Sequence, residues 1–554
     1  MIGIKLKVVN NRLQNLKFFN NSNPLIKLNH NKFNIIIIGQ VFEKKNIIKE
    51  TIKNALDKKN YKSLLKLNGE YAIVIINKTD KLFIIGNSQN SYLPIFYSKL
   101  KNELVIDFNI LNFHKKYFSK INLKKIYEWL TFNGRSFNDE TFIKGINVLE
   151  SGSLIIKKKE KFKKVYLPPF YYQPKIISLN EATKKVSNTL KNAINQRLSE
   201  TKNTTQFGLS GGLDSRILVS LINKENLKKI KSYTISTKFS FEKKISKTVA
   251  KYLKLQHKEI NVPIKEYYMS SFESVKHGGF NNIFKNGVYR KFLKAEFENN
   301  KNKNIMIGNA LDVLIASSFS SKDLIKIKNR KQYIDWYVKK YQLFSVKELT
   351  QLFKNKKFSK ESLNKNLEKF LNKYNFSKNN SIDINDAFTF ETRIKRWHNY
   401  TLSAISNFTN FLIPTYDNNF LKICSSIPYK FRLNDLLRKN ILKSVDSNLY
   451  NLKTSNSLEI INIKKKKNFK SFFDVNLGFD IKKNDNIYLL LDKIKKELTH
   501  LKKEKFLDIP FIEAVIDEHK NSNKENTRKI FLLISLLISM IFIFRKQNRN
   551  YEKN

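Results

Sequence analysis

Short apolar runs rich in β-branched and aromatic residues dominate the first third of the chain. They occupy residues 33–42, 69–88, 92–98 and 103–108. Polar residues 77–81 lie between two strand-like stretches, which is typical of a hairpin turn, and residues 146–170 contain a further hairpin that ends at two prolines. The pattern predicts an antiparallel β-sandwich within residues 1–167, followed by a linker at 167–177.

The apolar spacing becomes helical after the linker. Residues 178–200 carry an apolar side chain at every fourth position, and Ser178 with Glu181 forms an N-terminal capping signature. Strand-like runs at 231–237 and 259–264 alternate with helical ones, which predicts a parallel α/β sheet. From residue 320 to 545 the pattern is mainly helical. We therefore predict an α/β protein with two domains, residues 1–167 and 178–545.

The longest apolar run lies near the end of the chain, at residues 530–544, between basic residue pairs. A membrane-spanning helix needs roughly 20 apolar residues, and this run is shorter. We predict a buried C-terminal helix rather than a membrane anchor. The first residues show no secretory signal, so we expect a cytoplasmic protein with no membrane span.

The composition is strongly basic, with 104 Lys and Arg against 47 Asp and Glu and a net charge of +57. Such a charge would attract nucleic acid or anionic lipid. The lysines are spread along the chain together with Asn and Ile, which favours a biased genome composition, so we do not expect a nucleic-acid partner. The single cysteine, Cys424, excludes an internal disulfide framework. The basic run 464–473 is predicted to be a mobile loop.

The decapeptide FGLSGGLDSR at residues 207–216 concentrates glycines, hydroxyls and an acid between a strand-like and an apolar helical stretch. Adjacent glycines permit close backbone approach, and successive N–H groups at a helix start can bind a phosphate. Asp214 can hold a Mg²⁺ that a triphosphate brings. The alternative from the residues alone is an ordinary glycine turn in which Asp214 caps the helix. The spacing is not that of a Walker A loop.

SGGLDS, residues 210–215, matches the signature of the PP-loop ATP pyrophosphatases at every position. Over nearly its full length the chain resembles the asparagine synthetase family, whose fold joins a glutaminase-type sandwich of the N-terminal-nucleophile class to an ATP-pyrophosphatase domain. Further similar segments are LNGEYA (67–72), YLPIFY (92–97), 146–152, YTIST (233–237), IPTYD (413–417) and the apolar run 530–544.

The resemblance implies that a substrate carboxylate attacks ATP, giving an acyl-adenylate and pyrophosphate, and that an amine then forms an amide. It implies ATP and Mg²⁺ as cofactors, a small-molecule or peptide carboxylate, an amine donor and a chain that can form a homodimer. Asp214 and Asp312 would hold Mg²⁺. The implied pyrophosphate cradle is Ser210, Gly211, Gly212, Asp214 and Ser215, and the implied adenine slot uses the backbone of Leu209, Ile235 and Gly308.

A catalytic lysine is also implied, and two lysines compete for the role. Lys453 aligns with the family lysine that stabilises developing charge. A solvated surface lysine is the alternative interpretation of Lys453. Lys439 is the competing candidate for the catalytic role.

The chain departs from the family pattern at three places. Ile2 stands where the glutaminase nucleophile is a cysteine, and a hydrocarbon side chain cannot attack an amide. Ile38–Gly39–Gln40 stands in place of an Asn-Gly-Glu motif. Asn309 and Val313 replace two acids that flank the magnesium aspartate. These departures resemble β-lactam synthetases and lasso-peptide cyclases, whose amine belongs to the substrate.

We therefore expect an amide-forming ligase without glutamine hydrolysis. An ammonia-using asparagine synthetase remains an alternative, as do an RNA-modifying PP-loop enzyme and a non-catalytic ATP-binding scaffold. The residues do not separate intermolecular from intramolecular amide formation.

Overall fold

The structure is a computed structural model, and the fold below refers to the residues that it describes. These are 3–9, 12–19, 25–77, 79–100, 103–159, 161–201, 204–237, 240–276, 283–295, 304–354, 360–406, 408–454, 485–503, 505–522 and 526–548. Ile2 and the predicted mobile loop at 464–473 lie outside them.

Two antiparallel sheets form the N-terminal part. The five-stranded sheet has the spatial order Arg12–Phe19, Gly3–Val9, Glu103–Asp107, Ile95–Leu100 and Asn147–Leu149. The six-stranded sheet has the order Lys161–Tyr166, Ser153–Lys158, Leu82–Asn87, Gly69–Asn77, Phe33–Val41 and Leu25–His30.

The strand Phe33–Val41 shows why its apolar run is continuous rather than alternating. Ile36 and Ile38 point into the core between the two sheets, while Ile35 and Ile37 pack with the helix Lys45–Asp57 on the opposite face. Because side chains alternate between the faces of a strand, a sheet covered on both sides needs apolar residues at every position. The predicted antiparallel β-sandwich is confirmed, with helices against its outer faces.

A parallel sheet forms the second part. Its order is Gln256–Asn261, Ile230–Ser236, Thr205–Gly208, Asn304–Met306 and Asn410–Leu412, and all four pairings are parallel. The strand Thr205–Gly208 lies in the centre of the sheet. Its carboxyl end therefore lies between the carboxyl ends of two neighbouring strands. The predicted combination of an antiparallel sandwich with a parallel α/β sheet is therefore the observed fold class.

Helices fill the remaining described chain. The α-helices span Lys45–Asp57, Leu123–Thr131, Leu179–Ser199, Leu213–Ser220, Lys224–Leu227, Phe241–Tyr252, Ile264–Met269, Ser271–Lys276, Ile283–Val288, Leu311–Leu314, Arg330–Tyr341, Val346–Leu352, Lys360–Leu371, Ser381–Thr389, Asn399–Ile405, Asn418–Ser425, Tyr429–Arg432, Leu436–Val445, Ser447–Asn451, Asn486–His500, Ile509–Asn521 and Thr527–Gln547. The 3₁₀ segments are Tyr61–Leu65, Ile110–Asn112, Lys115–Phe118, Lys322–Lys326, Pro414–Tyr416 and Leu433–Asp435, and Tyr289–Leu293 and Phe390–His398 are π-helical.

The helix after the linker begins where its capping signature predicts. The Ser178 side chain accepts a hydrogen bond from the Glu181 N–H at 3.1 Å, and the helix runs over Leu179–Ser199. Two helices within the N-terminal part, Lys45–Asp57 and Leu123–Thr131, are absent from the sequence prediction.

The C-terminal apolar run lies in the helix Thr527–Gln547. Within the described chain, this helix is long and apolar enough to cross a membrane, and its most apolar window has a mean hydropathy of 2.1. Yet 78% of that window is buried within the protein. The side chains of Leu533, Ile534 and Ile538 are fully covered, which agrees with the predicted buried helix.

A buried ionic cluster joins the sandwich to the second part. Arg197 donates to Glu70 at 3.1 Å and to Asp417 at 3.4 Å, and neither Arg197 nor Glu70 is exposed. Asn68 donates to the same Asp417 oxygen at 2.7 Å. Burial raises the pKa of Glu70 to about 7, against the opposing effect of Arg197.

We expect stability to fall as the pH rises from about 4.5 to about 7, because Glu70 binds its proton more tightly in the folded chain than in the unfolded one. The loss should reach about 1–3 kcal/mol over that range. Urea denaturation at pH 5 and pH 7.5 measures it, and Glu70→Gln should flatten this part of the profile. An equal slope in the variant would show that Glu70 is not the titrating group.

Candidate active site

The loop Ser210–Gly212 connects the central parallel strand Thr205–Gly208 to the helix Leu213–Ser220. The Ser210 and Ser215 hydroxyls lie 3.0 Å apart, and the Ser210 N–H donates to the Ser215 hydroxyl at 3.2 Å. The Gly212 N–H donates to the Ser210 hydroxyl at 3.2 Å. The loop is thus held in shape by its own side chains, with both hydroxyls at the start of the helix.

The predicted adenine-slot residues follow three neighbouring strands at one edge of the parallel sheet. Leu209 follows the central strand, Ile235 lies near the end of Ile230–Ser236, and Gly308 follows Asn304–Met306. The Leu209 N–H donates to the Tyr233 carbonyl at 3.0 Å, which extends the strand pairing up to the loop. The structure therefore brings these three residues to the same end of the sheet as the loop.

Gly308 permits the close approach of two segments. A Cβ atom at this position would lie 2.5 Å from the Leu218 side chain and 3.8 Å from the Cβ of Asp214. A side chain here would therefore force the Leu218 side chain to move.

Asp214 and Asp312 are 98 residues apart in the sequence. The parallel sheet brings the segments that carry them to the same edge. Burial raises the pKa of Asp214, Arg438 opposes this, and the charge of Asp312 raises it further. Burial also raises the pKa of Asp312, against Arg393 and Arg438. The two carboxylates are thus close enough to raise the pKa of Asp214, and Gly308, which precedes Asp312, lies against the Cβ of Asp214.

Arg438 is the immediate partner of Asp214. Its guanidinium donates to the Asp214 carboxylate at 2.8 Å and pairs with Asp435 at 2.8 Å. The Asp214 side chain keeps 28% exposure despite this contact. A cation that bound Asp214 would therefore meet a competing charge, while a phosphate at the loop would meet a favourable one.

Arg216 fixes the segment that carries Lys453. It is fully buried and donates to the carbonyls of Leu452 at 2.8 Å and Leu449 at 3.2 Å, and also to that of Lys453. The same guanidinium lies 3.5 Å from the Gly211 carbonyl. The backbone of Lys453 is therefore tied to the loop, and the lysine itself is exposed.

Lys439 lies in a different environment. It follows Arg438 on the helix Leu436–Val445, so its side chain points about 100° away from the one that contacts Asp214. Its ammonium donates to the Asn434 carbonyl at 3.2 Å and is exposed. Of the two candidate lysines, Lys453 is the one whose backbone adjoins the loop.

Asn309 and Val313, two residues at which the sequence departs from the asparagine synthetase pattern, have different surroundings. The Asn309 amide donates to the Tyr416 hydroxyl at 2.7 Å, and that hydroxyl donates to Asn399 at 2.6 Å. Val313 is buried in the core. Asn309 is thus polar and takes part in a hydrogen-bonded network, whereas Val313 offers no polar group.

Sequence reasoning missed three arginines of the site: Arg216, Arg393 and Arg438. Arg216 directly follows the SGGLDS motif, so its position was a usable signal. Arg438 adjoins the lysine candidate Lys439, but nothing local indicates that it reaches Asp214, 224 residues away in sequence. Arg393 lies over the rings of Phe319 and Trp397 at 4.5 and 5.0 Å, and no motif marks it.

The donor set fits a magnesium polyphosphate. Gly212 precedes the helix Leu213–Ser220 without a side-chain cap, so the first helical N–H groups lack a capping oxygen, whereas the Gly212 N–H itself donates to Ser210. Two carboxylates supply the oxygen ligands that Mg²⁺ prefers, and two serine hydroxyls add donors for phosphate oxygens. Within the described residues, no group of three or more His, Cys, Asp or Glu is arranged to hold a metal ion.

The loop thus lies at the carboxyl edge of a parallel sheet and at the start of a helix, a position at which α/β proteins commonly bind anionic ligands. Residues 185–277 match the family model of asparagine synthase. The match includes the loop, Asp214 and Ile235, and it ends before Gly308 and Asp312. The segment around the loop is thus similar to asparagine synthase.

No curated protein matches the chain in sequence. Among solved structures, glutamine phosphoribosylpyrophosphate amidotransferase from B. subtilis aligns with 10% identity and a TM-score of 0.20, over 47% of this chain and 59% of that one. The chain therefore spans less than two thirds of that relative. A structure titled the allosteric regulatory enzyme of purine biosynthesis aligns with 10% identity and a TM-score of 0.19, over 47% and 75%. These low scores support no functional argument.

Proposed function

We propose that this protein is an ATP-dependent ligase that adenylates a substrate carboxylate, releases pyrophosphate and joins the acyl group to an amine, without hydrolysing glutamine. The observation that carries the proposal is the placement of Asp214 and Asp312 as electrostatic neighbours beside an uncapped helix start. The asparagine synthase match over residues 185–277 includes this loop and supports the same class of reaction.

The first step is a displacement at phosphorus. A carboxylate oxygen of the substrate bonds to the α-phosphorus of ATP, and the bond to the pyrophosphate oxygen breaks. The N–H groups at the start of Leu213–Ser220 and the hydroxyls of Ser210 and Ser215 would bind the pyrophosphate. Asp214 and Asp312 would hold the Mg²⁺, which neutralises charge on the leaving group.

The second step forms the amide. The amine nitrogen bonds to the acyl carbon, the bond to the AMP oxygen breaks, and the nitrogen loses a proton. Arg216 donates to the Lys453 carbonyl and so holds the Lys453 backbone beside the loop. This position favours Lys453 over Lys439 as the cation near the developing charge. Lys453 therefore remains our candidate catalytic residue.

The substrate should differ from aspartate. Asn309 and Val313 stand where the family pattern has acids, and Val313 is enclosed in the core. Asn309 keeps a polar side chain that points toward Tyr416, but an amide does not accept a proton as a carboxylate does. Both changes favour a carboxylate and amine other than aspartate and ammonia.

Product analysis tests the proposal. Purified protein is incubated with Mg·ATP, a panel of small-molecule and peptide carboxylates, and ammonium, hydroxylamine or glutamine as the nitrogen source. We expect AMP and pyrophosphate in equal amounts, with no glutamate released from glutamine, since Ile2 cannot act as the nucleophile. Asp312→Asn should lose AMP formation, and the exposed Asp335→Asn should keep it.

Two outcomes would contradict the proposal. Formation of ADP and phosphate would exclude adenylation, and AMP formation that survives Asp312→Asn would exclude the assigned site. Glutamate release from glutamine would contradict only the part of the proposal that concerns the nitrogen source.

A further inference from the structure

A left-handed turn precedes the short helix that carries Asp312. Ala310 has a φ of 72°, in the region that favours glycine, and the helix Leu311–Leu314 begins directly after it. A residue with a Cβ atom is strained in this conformation, which persists only where its surroundings hold it. The position of Asp312 therefore depends on the contacts that hold the turn.

Two side chains of the segment Pro414–Tyr416 hold the residue that precedes Ala310. The Thr415 hydroxyl donates to the Asn309 carbonyl, and the Asn309 amide donates to the Tyr416 hydroxyl at 2.7 Å. Asn309 is thus held through both its backbone and its side chain. The turn is therefore fixed from its N-terminal side.

Tyr416 is itself held by the sandwich. Its hydroxyl donates to the Asn399 amide oxygen at 2.6 Å, and the Asn399 amide nitrogen donates to the Ser91 carbonyl at 3.0 Å. The Asn90 amide donates to the Tyr416 carbonyl at 3.3 Å. Asn90 and Ser91 lie in the loop that connects the six-stranded sheet to the five-stranded sheet. A relay of four hydrogen-bonded residues thus runs from the sandwich to the turn: Ser91, Asn399, Tyr416 and Asn309.

The hydrogen bonds of the relay have a fixed direction. The Ser91 carbonyl can only accept, so it orients the Asn399 amide with its oxygen toward Tyr416. A hydroxyl carries one hydrogen, which Tyr416 gives to Asn399, and its oxygen must then accept from residue 309. The Asn309 amide supplies that hydrogen, and a carboxylate would not. Burial raises the pKa of Tyr416 well above its ordinary value, so the hydroxyl keeps its hydrogen.

We propose that Tyr416 is a positioning residue of the nucleotide site, through which the sandwich holds Asn309 and the turn that places Asp312. Tyr416 and Asn399 are buried, so a broken hydrogen bond of the relay is not replaced by one to bulk water. The inference rests on the proposed function in that Asp312 is taken to hold the Mg²⁺ of the nucleotide.

Hydrogen exchange of the nucleotide-free protein tests the relay. The N–H groups of Val313 and Leu314 donate to the Ala310 carbonyl at 3.1 and 2.9 Å, so their exchange reports the opening of the turn. Tyr416→Phe keeps the ring and removes the hydroxyl. We expect the amides of Val313 and Leu314 to exchange about 10-fold faster in this variant, the factor that corresponds to the loss of one hydrogen bond.

Tyr71→Phe is the matched control. Tyr71 is equally buried, and its hydroxyl donates to the Leu64 carbonyl at 2.6 Å within the sandwich. This variant should leave the exchange of the turn unchanged. Asn309→Ala, at a half-buried position, breaks the same hydrogen bond from the other side and serves should Tyr416→Phe not fold. The double variant should exchange no faster than the faster single variant, since both substitutions remove one shared contact.

ATP binding separates positioning from a general loosening of the structure. Calorimetric titration in excess Mg²⁺ should show about 10-fold weaker binding of ATP to Tyr416→Phe, because the carboxylate of Asp312 is no longer held in place. In excess chelator the variant and the wild type should bind ATP equally, since the metal ligand then plays no part. Tyr71→Phe should match the wild type under both conditions.

Unchanged exchange of the turn in Tyr416→Phe, equally fast exchange in Tyr71→Phe, or single effects that add in the double variant would each overturn the relay. ATP affinity that does not change in Tyr416→Phe, or that falls equally with and without Mg²⁺, would overturn the positioning role. Failure of the wild type to bind Mg·ATP would contradict the proposed function instead, and the exchange of the turn would still decide whether the relay holds it.

Discussion

Replacing Asp214 by asparagine is expected to weaken Mg·ATP binding by about 10- to 100-fold, because an interaction with a charged group contributes about 1.5–3 kcal/mol. The neutral amide would be a weaker ligand for a Mg²⁺ shared with Asp312, and its contact with Arg438 loses the ion pair. The most specific sign is the response to Mg²⁺. Wild-type affinity for ATP should rise when Mg²⁺ is added, and the affinity of the variant should not.

Calorimetric titration with ATP, in excess Mg²⁺ and in excess chelator, measures this response. Asp312→Asn should behave like Asp214→Asn, because both carboxylates face the same site. Asp335→Asn, on an exposed helical position, is the matched control and should retain wild-type binding. Full retention of the Mg²⁺ response in either site variant would show that the two carboxylates do not hold the metal.

Replacing Arg197 by methionine should have the largest effect on stability, about 3–5 kcal/mol, because it leaves buried charge without a partner. Arg197 is not exposed and bonds both Glu70 and Asp417. Methionine approximates its aliphatic stem, so the packing against the Phe42 ring, 4.3 Å from the guanidinium, is partly kept. The loss of stability should therefore come from the unpaired charges of Glu70 and Asp417.

Urea denaturation at pH 7.5 measures this loss. Lys185→Met removes the exposed ion pair with Glu181 on the same helix and should change stability little. Adding Glu70→Gln to Arg197→Met should recover part of the loss, since one uncompensated charge disappears. A loss below about 1 kcal/mol in Arg197→Met, or no recovery in the double variant, would show that the ion pair is not what holds this junction.

The features predicted from sequence are those that local patterns encode. The SGGLDS loop lies between a strand and a helix because glycines, hydroxyls and an adjoining apolar run occupy consecutive positions. The Ser178 cap and the strand Phe33–Val41 follow from spacing in the same way. Leu209, Ile235 and Gly308 were assigned through the family resemblance, and the alternation of strands with helices predicted only the parallel sheet at whose edge they lie.

The features that were missed depend on contacts between distant segments. Arg438 reaches Asp214 across 224 residues, and Arg197 reaches Asp417 across 220. Arg197 did carry a signal, because it lies three residues after Ile194 and seven after Leu190 on the apolar face of its helix. A charged residue at such a position must find a buried partner, but the sequence does not say which one.

The helices Lys45–Asp57 and Leu123–Thr131 were missed for a different reason. Both lie among strand-rich segments, and both are short. They form because the outer faces of the sandwich must be covered, as the contacts of Ile48 and Ile52 with the six-stranded sheet show. Tertiary packing of this kind outweighs the local preference of a short segment.

Hydrogen exchange of the loop in the presence of Mg·AMP-PNP tests the central claim most directly. We predict slower exchange of the backbone amides of residues 211–215, where the start of the helix lacks a side-chain cap, and of the segment around Asp312. Unchanged exchange at both segments under saturating nucleotide, or protection confined to another part of the chain, would contradict it.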